Sequence, residues 1–362
     1  MAGAPRLCVI NRIAAAATVL SASGAQTAAP VAWLKDQLRS KSWRSPLGWT
    51  ITAGFNDKID FNRGGVLVAT VAPGAYATGA ALAAAIVTAL EAADATPVWA
   101  CSYSVSTFKF TVSSDLAFTL LWASGANTGV ACHKELGFAV ADTGSATSQV
   151  GANAVHQSRH FIKADLGSAL SVQVGIVINH NAGAGGSLTF QGNATDAWTA
   201  PTVNQALAGD AAIRIAFIAT QTLRYWRLVI DDCGNALGYA EVGLWNAGPY
   251  TQPSVSYAVG FSKKWEELSE VSVTPSGAHW QDERPRRPVW SLHWSEVLES
   301  DRAALAAAFA FVPKGKCFFF TFDAVTDPTA TEYGWLAEGI EETLTSGLYF
   351  DVPVPVFSGA LG

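Results

Sequence analysis

The chain has 362 residues, of which 50% are hydrophobic and only 14% charged, and its formal net charge is -6 at pH 7. This composition excludes extended disorder, which goes with low hydrophobicity and high net charge, and the acidic balance leaves no electrostatic footprint for nucleic acid. No apolar stretch reaches the ~18 uninterrupted residues of a spanning helix, so no membrane insertion is expected.

A surface with so few charges is that of a chain partly covered by neighbouring subunits. Cys8, Cys101, Cys132, Cys233 and Cys317 make an odd count with no C-x-x-C spacing. Neither a disulfide framework nor a zinc knuckle is expected, and free thiols fit folding in a reducing cytosol. At the N-terminus Arg6, an apolar run and the small residues of "SASGAQTAAP" imitate a secretory signal. Asn11 and Arg12 interrupt that run and leave "IAAAATVL" as its core, so an opening strand and loop are the better reading.

Residues 47–155 read as a self-contained α+β module. "WTITAGFNDKIDFNRGG" reads as a hairpin, "VLVATVAPGAYATG" as a strand ending in a turn, and "AALAAAIVTALEAA" as a helix with Leu82, Ile86 and Leu90 on one face. The strands "CSYSVST", "FKFTVSS" and "LAFTLLWAS" follow, and "KELGFAVADTG" makes a turn-rich exit. Residues 156–248 read as all β, with six short strands: "HFIKADLG", "SVQVGIVINHN", "GSLTFQGN", "AIRIAFIA", "RYWRLVIDD" and "GYAEVGLWNAG". Residues 249–362 add strands around "SKKWEELSEVSVTPSG" and "RRPVWSLHWSEV". They continue with a helix, "SDRAALAAAFAFV", expected to be capped by Ser300 with Asp301 in its first turn, and with a buried strand, "KCFFFTFDA".

Three stretches carry a resemblance: "LKDQLRSKSWRS" (34–45), "ADLGSALSVQVGIVINHN" (164–181) and "RYWRLVIDDCGNALGYAEVGLW" (224–245). Together they resemble a discoidin-like, galactose-binding-type jelly roll. Trp43 and Asp165, close in sequence in most members of that family, are separated here by the whole α+β module. The resemblance therefore implies a discontinuous jelly-roll sandwich, residues 1–46 and 156–248, carrying an inserted domain at 47–155. The inserted unit resembles a module of tailed-phage tail proteins through residues 55–61, 73–83 and 136–138. Residues 249–362 resemble a tail-tip element through the Arg-Arg-Pro strand, "ESDRAALAAAF", "FFFTFDA" and "EYGWL". The overall expectation is a mainly β fold with α+β parts, ending in a C-terminal α+β domain. The resemblance implies a structural protein of a phage tail tip or baseplate, of the distal tail type. It would pack against copies of itself in a ring and against other tail proteins, with its location the virion tail tip and its assembly in the host cytoplasm.

Chemistry in the sequence is sparse. No H-E-x-x-H or G-x-S-x-G occurs, and no catalytic, metal or cofactor-binding residues are assigned, so an enzyme is not expected. His156 and His160, four apart, are not read as a metal pair, and His180 reads as ordering a loop. Asp231 with Asp232, Glu266 with Glu267 and Glu341 with Glu342 are adjacent pairs that a strand would send to opposite faces, which weakens a glycan-hydrolase reading. Trp198, in the polar loop "NATDAWTAP", is a candidate glycan contact, against a competing reading as rim packing or subunit contact. It is the residue behind the alternative function, a carbohydrate-binding receptor module that meets a host surface glycan. Trp226 reads as core, with Arg224 and Arg227 on the opposite face. Arg284, Arg286 and Arg287, among prolines, read as an edge strand offering guanidinium groups to carboxylates of a neighbouring subunit.

Overall fold

The computed structural model describes residues 5–36, 40–256, 262–273, 275–277, 279–284, 286–313, 316–336, 343–346 and 349–358. The fold is mainly β, a set of separate sheets with two α-helices among the described residues. β1 (Arg6–Cys8) corrects one expectation, because it pairs not with the sandwich but with a strand over Cys317–Asp323. Leu7 and Cys8 are both fully buried, Leu7 in the C-terminal core and Cys8 in the layer between that sheet and the sandwich. A strand covered on both faces is continuously apolar, and such a run does not say which sheet it enters. β2 (Val19–Ala22), a 3-10 turn over Val31–Lys35 and β3 (Trp43–Arg44) do build onto the sandwich.

In the module, β4 (Trp49–Ile51) pairs with β7 (Gly74–Tyr76), and β5 (Lys58–Asn62) pairs with β6 (Val66–Thr70). The expected hairpin within 49–65 is thus displaced: the tight turn comes after β5, at Arg63 to Gly65, where Gly64 takes a φ of 80°. α1 (Gly79–Ala93) is capped by Thr78, whose hydroxyl accepts from Ala81 N at 3.2 Å, and it buries Leu82, Ile86 and Leu90. β8 (Trp99–Ser104) pairs with β9 (Lys109–Leu120), a single strand where two were expected. The polar residues Ser113 to Asp115 resemble a turn, yet the chain stays extended through them. β10 (Ala146–Val150) pairs with β9 from a stretch too polar to read as a strand.

The sandwich sheet contains β11 (His160–His180), β12 (Ser187–Asn193), β13 (Val203–Ala206), β14 (Ala208–Gly209), β15 (Ile213–Asp231) and β16 (Glu241–Gly248). Its order is β13-β12-β15-β11-β16-β3, with β14 on β15 and β2 on β11. β11 and β15 each join two expected strands into one. The β11–β15 register shifts between Asp165 and Leu170 and again between Val172 and Val174, and such bulges change which side chains point inward. Ile162, Ala164 and Val172 face the sandwich interior; beyond the second shift Val174, Ile176 and Ile178 face the C-terminal sheet while Val177 stays inside. Trp43, Trp226, Trp245 and Phe190 fill the interior, Phe190 stacking on Trp226 at 4.7 Å. A Cβ at Gly192 would lie 2.6 Å from the Trp226 ring, so the glycine is what lets the indole close onto β12.

The C-terminal part comprises β17 (Ser262–Glu266), β18 (Glu270–Val273), β19 (His279–Asp282), β20 (Arg287–Leu298), α2 (Glu299–Ala310), β21 (Cys317–Asp323), β22 (Asp327–Leu336), β23 (Thr343–Ser346) and β24 (Tyr349–Ser358). The sheet order is β1-β21-β22-β24-β20-β17 with β23 on β24, and β18 and β19 form a separate ribbon. Ser300 is not the cap of α2. β20 runs directly into the helix, which starts at Glu299 with Leu298 in the cap position and no side-chain cap bond. Asp301 is in the first turn as expected and accepts from Ser254 N at 3.1 Å. Phe318, Phe319 and Phe320 of β21 are all buried, Phe319 toward the sandwich and its two neighbours toward the C-terminal core.

Candidate functional site

Three places bring chemistry-bearing side chains together. The first is the junction of module and sandwich. Glu135 is 0% exposed and Arg159 8%. Glu135 Oε1 accepts from Arg159 Nε at 2.9 Å, Arg159 N at 3.2 Å and Asn56 Nδ2 at 2.9 Å, and Arg159 Nη2 also donates to Ala131 O at 2.7 Å. Burial alone would raise the Glu135 carboxyl, but the Arg159 charge and the hydrogen bonds from Arg159 and Asn56 outweigh it and hold the pKa below the usual carboxylate range. Beside this pair Lys134 binds Asp231, and Gln157 Nε2 donates to Asp232 O at 2.8 Å. A cleft of about 880 Å³ opens here, with Asp231 and Asp232 both on its wall. β15 ends at Asp231 and Asp232 already turns, so the alternation that would separate the two no longer applies. Asp232 accepts from Gly183 N at 2.9 Å and Asn235 Nδ2 at 3.1 Å; with Lys134 on Asp231, both carboxylates tie the cleft walls together.

The second place is a recess of about 360 Å³ containing Trp198. Trp198 is half-buried, not fully exposed, because the Arg227 guanidinium lies over its ring at 4.5 Å. The Trp198 Nε1–H donates to Asp196 Oδ1 at 2.7 Å, and Lys163 Nζ meets Asp196 Oδ2 at 2.5 Å. Burial would raise the Asp196 pKa, but these two bonds leave it lowered. Arg227 also lies 5.7 Å from the Phe161 ring and 5.5 Å from that of Phe55. It is 7% exposed, and burial pushes its pKa down to about 10. Arg227 Nε donates to Gln191 Oε1 at 2.8 Å, while its two η nitrogens have no acceptor among the described residues. Trp226 is core as expected. Arg224 forms a bidentate pair with Asp165 at 2.7 and 2.8 Å.

The third place is the arginine segment, where the expectation is corrected. Arg284 pairs with Asp282 at 2.7 Å and Glu270 at 3.4 Å, Arg286 with Glu267 at 2.6 Å and Arg287 with Glu266 at 2.5 Å. The counterparts sought on a neighbouring subunit are in this chain, since antiparallel β17 and β20 set Glu266 opposite Arg287. Nor is β20 an edge strand: it lies between β24 and β17, and Pro288 falls before the β24 pairing begins at Val289. Pro285, Glu341 and Glu342 lie outside the described residues.

The histidines stay apart. The His156 ring packs on Phe108 at 4.3 Å, while His160 is fully buried in β11 with Nδ1 3.1 Å from Ser23 Oγ. Burial lowers His160, His133 and His180 each to about 4. Among the described residues no three His, Cys, Asp or Glu side chains are grouped to hold a metal ion, and no helix is long and apolar enough to cross a membrane. Glu135, Arg159, Arg227, Lys163 and Asp196 were not singled out from the sequence as a site; the charge of Arg227 on an otherwise core-like strand was the one available signal.

Neither a family model nor a curated protein matches the chain. Among solved structures, chitosan-binding module 1 of a chitosanase/glucanase from Paenibacillus sp. IK-5 matches at 20% identity, over 25% of this chain and 70% of that one, with a TM-score of 0.20. A selenomethionine-labelled mutant of the same module matches at 18% identity over 25% and 68%, with a TM-score of 0.19.

Proposed function

We propose that the chain is a structural component of a phage tail tip or baseplate that packs against copies of itself and other tail proteins, and that it performs no catalysis. The observation that carries this reading is the β18–β19 ribbon, which among the described residues joins no larger sheet and bears Trp280 at 72% exposure, together with Trp265 of β17 at 58%. Exposed tryptophans are the anchors that a partner surface covers. The low charge and the tail-protein resemblances support the same reading. Light scattering of the purified chain tests it: self-association or capture of other tail proteins is expected, and a sharp monomer at high concentration that ignores those proteins contradicts it. A second reading, carbohydrate recognition at the virion surface, is favoured by the aromatic recess at Trp198, and binding on a glycan array is its test.

A further inference from the structure

We propose that the recess at Trp198 binds a sugar bearing a carboxylate, such as a uronic or sialic acid unit of an acidic glycan, with Arg227 as the residue that selects the acid. This rests on the carbohydrate reading and is independent of the assembly reading.

Charge pairing around the recess points to an anion. Arg159 is neutralised by Glu135, and Lys163 by Asp196, whose second oxygen is occupied by the Trp198 indole N–H. Arg227 is left without an ion pair of its own, since Asp196 is already bonded twice and acts on it only at longer range, and its two η nitrogens lack acceptors among the described residues while staying open to the recess they line. A guanidinium so placed presents a planar fork that matches one carboxylate bidentately. Burial lowers the Arg227 pKa, and such a ligand would relieve it.

The lining points to a sugar. Trp198 and Phe161 offer aromatic surface, Thr52 and Thr199 offer hydroxyls, and Ala53 and Gly54 are too small to fill the space. Its volume of about 360 Å³ is at the lower end of ligand sites and suits one or two pyranose rings. A carboxylate gripped by Arg227 would hold the ring against these walls, so the acid supplies selectivity and the aromatic walls supply contact area.

The test is calorimetric titration of the full chain with glucuronic acid, N-acetylneuraminic acid, glucose and acetate, repeated on Arg227→Gln and Trp198→Ala. At least one acidic sugar is expected to bind about ten-fold or more tightly than glucose and than acetate. Which of the two binds identifies the source of the carboxylate. Arg227→Gln should reduce the acid to the level of glucose, and Trp198→Ala should weaken it several-fold with the circular dichroism unchanged. Should Arg227→Gln fail to fold, the ligand comparison and Trp198→Ala decide. Equal binding of glucose and both acids would overturn the acid selectivity while keeping the carbohydrate reading. Acetate binding as tightly as the sugars, or full affinity in Trp198→Ala, would overturn the site, and no saccharide binding at all would overturn the carbohydrate reading with it.

Discussion

Replacing Glu135 with alanine removes the only carboxylate bonded to Arg159 among the described residues and strands a guanidinium that is 8% exposed. Arg159 would keep Ala131 O as an acceptor, and Asn56 would keep Thr50 O, but the bonds to Glu135 are lost. Breaking one partner out of a buried pair costs about 3–5 kcal/mol, because the remaining charge stays out of water. At about 2–4 °C per kcal/mol for a unit of 150–250 residues, the melting temperature should fall by about 6–20 °C. Differential scanning calorimetry measures this directly. Glu135→Ala combined with Arg159→Met should recover most of the loss, since the double change leaves no buried charge. A loss under about 1 kcal/mol in the single variant would refute the claim that this pair fastens module to sandwich. The same reasoning bears on removing residues 47–151: the deletion takes Glu135 away, so a soluble sandwich should follow only if Arg159 is replaced as well.

His160, with a folded pKa of about 4 against an ordinary value near 6.5, is neutral in the folded chain. The unfolded chain takes up the proton first, so stability is full above about pH 6.5 and falls toward pH 4 by about 1.4 kcal/mol per pH unit for this group. Denaturant melts at pH 7.5 and 5 should show that slope, and His160→Asn should flatten it by one group's share; a pH-independent midpoint would contradict the assignment. Gly192→Val should cost about 1–3 kcal/mol by driving a side chain into Trp226, and a neutral result in urea unfolding would mean that β12 can retreat. Arg284, Arg286 and Arg287 changed together to alanine should leave the chain folded, since exposed, solvent-screened pairs contribute little to stability. If the ribbon is an assembly surface, that variant should nevertheless be excluded from particles; normal particles would assign these pairs to the hairpin alone.

Local pattern was readable where one element settles its own conformation. α1 follows from the spacing of Leu82, Ile86 and Leu90. The strands of the sandwich were readable as segments but not as the long strands β11 and β15, because at a bulge the inward alternation breaks and imitates a turn. β1 and β21 gave strong apolar runs with no sign of their mutual pairing, a contact between opposite ends of the chain. At the candidate sites the difference has the same origin. Acidic residues 266, 267 and 270 precede the arginines across one hairpin, so their pairing was implicit in a local strand match. Glu135 with Arg159 and Trp198 with Arg227 are assembled by tertiary packing from different elements, and nothing in either local stretch announces the partner.

Electron microscopy of phage particles labelled with an antibody to this chain tests the central claim most directly. Label confined to the tail tip, together with tails that fail to complete when the chain is deleted, is the predicted result. Complete, infectious tails that form without the chain and never carry the label would contradict it.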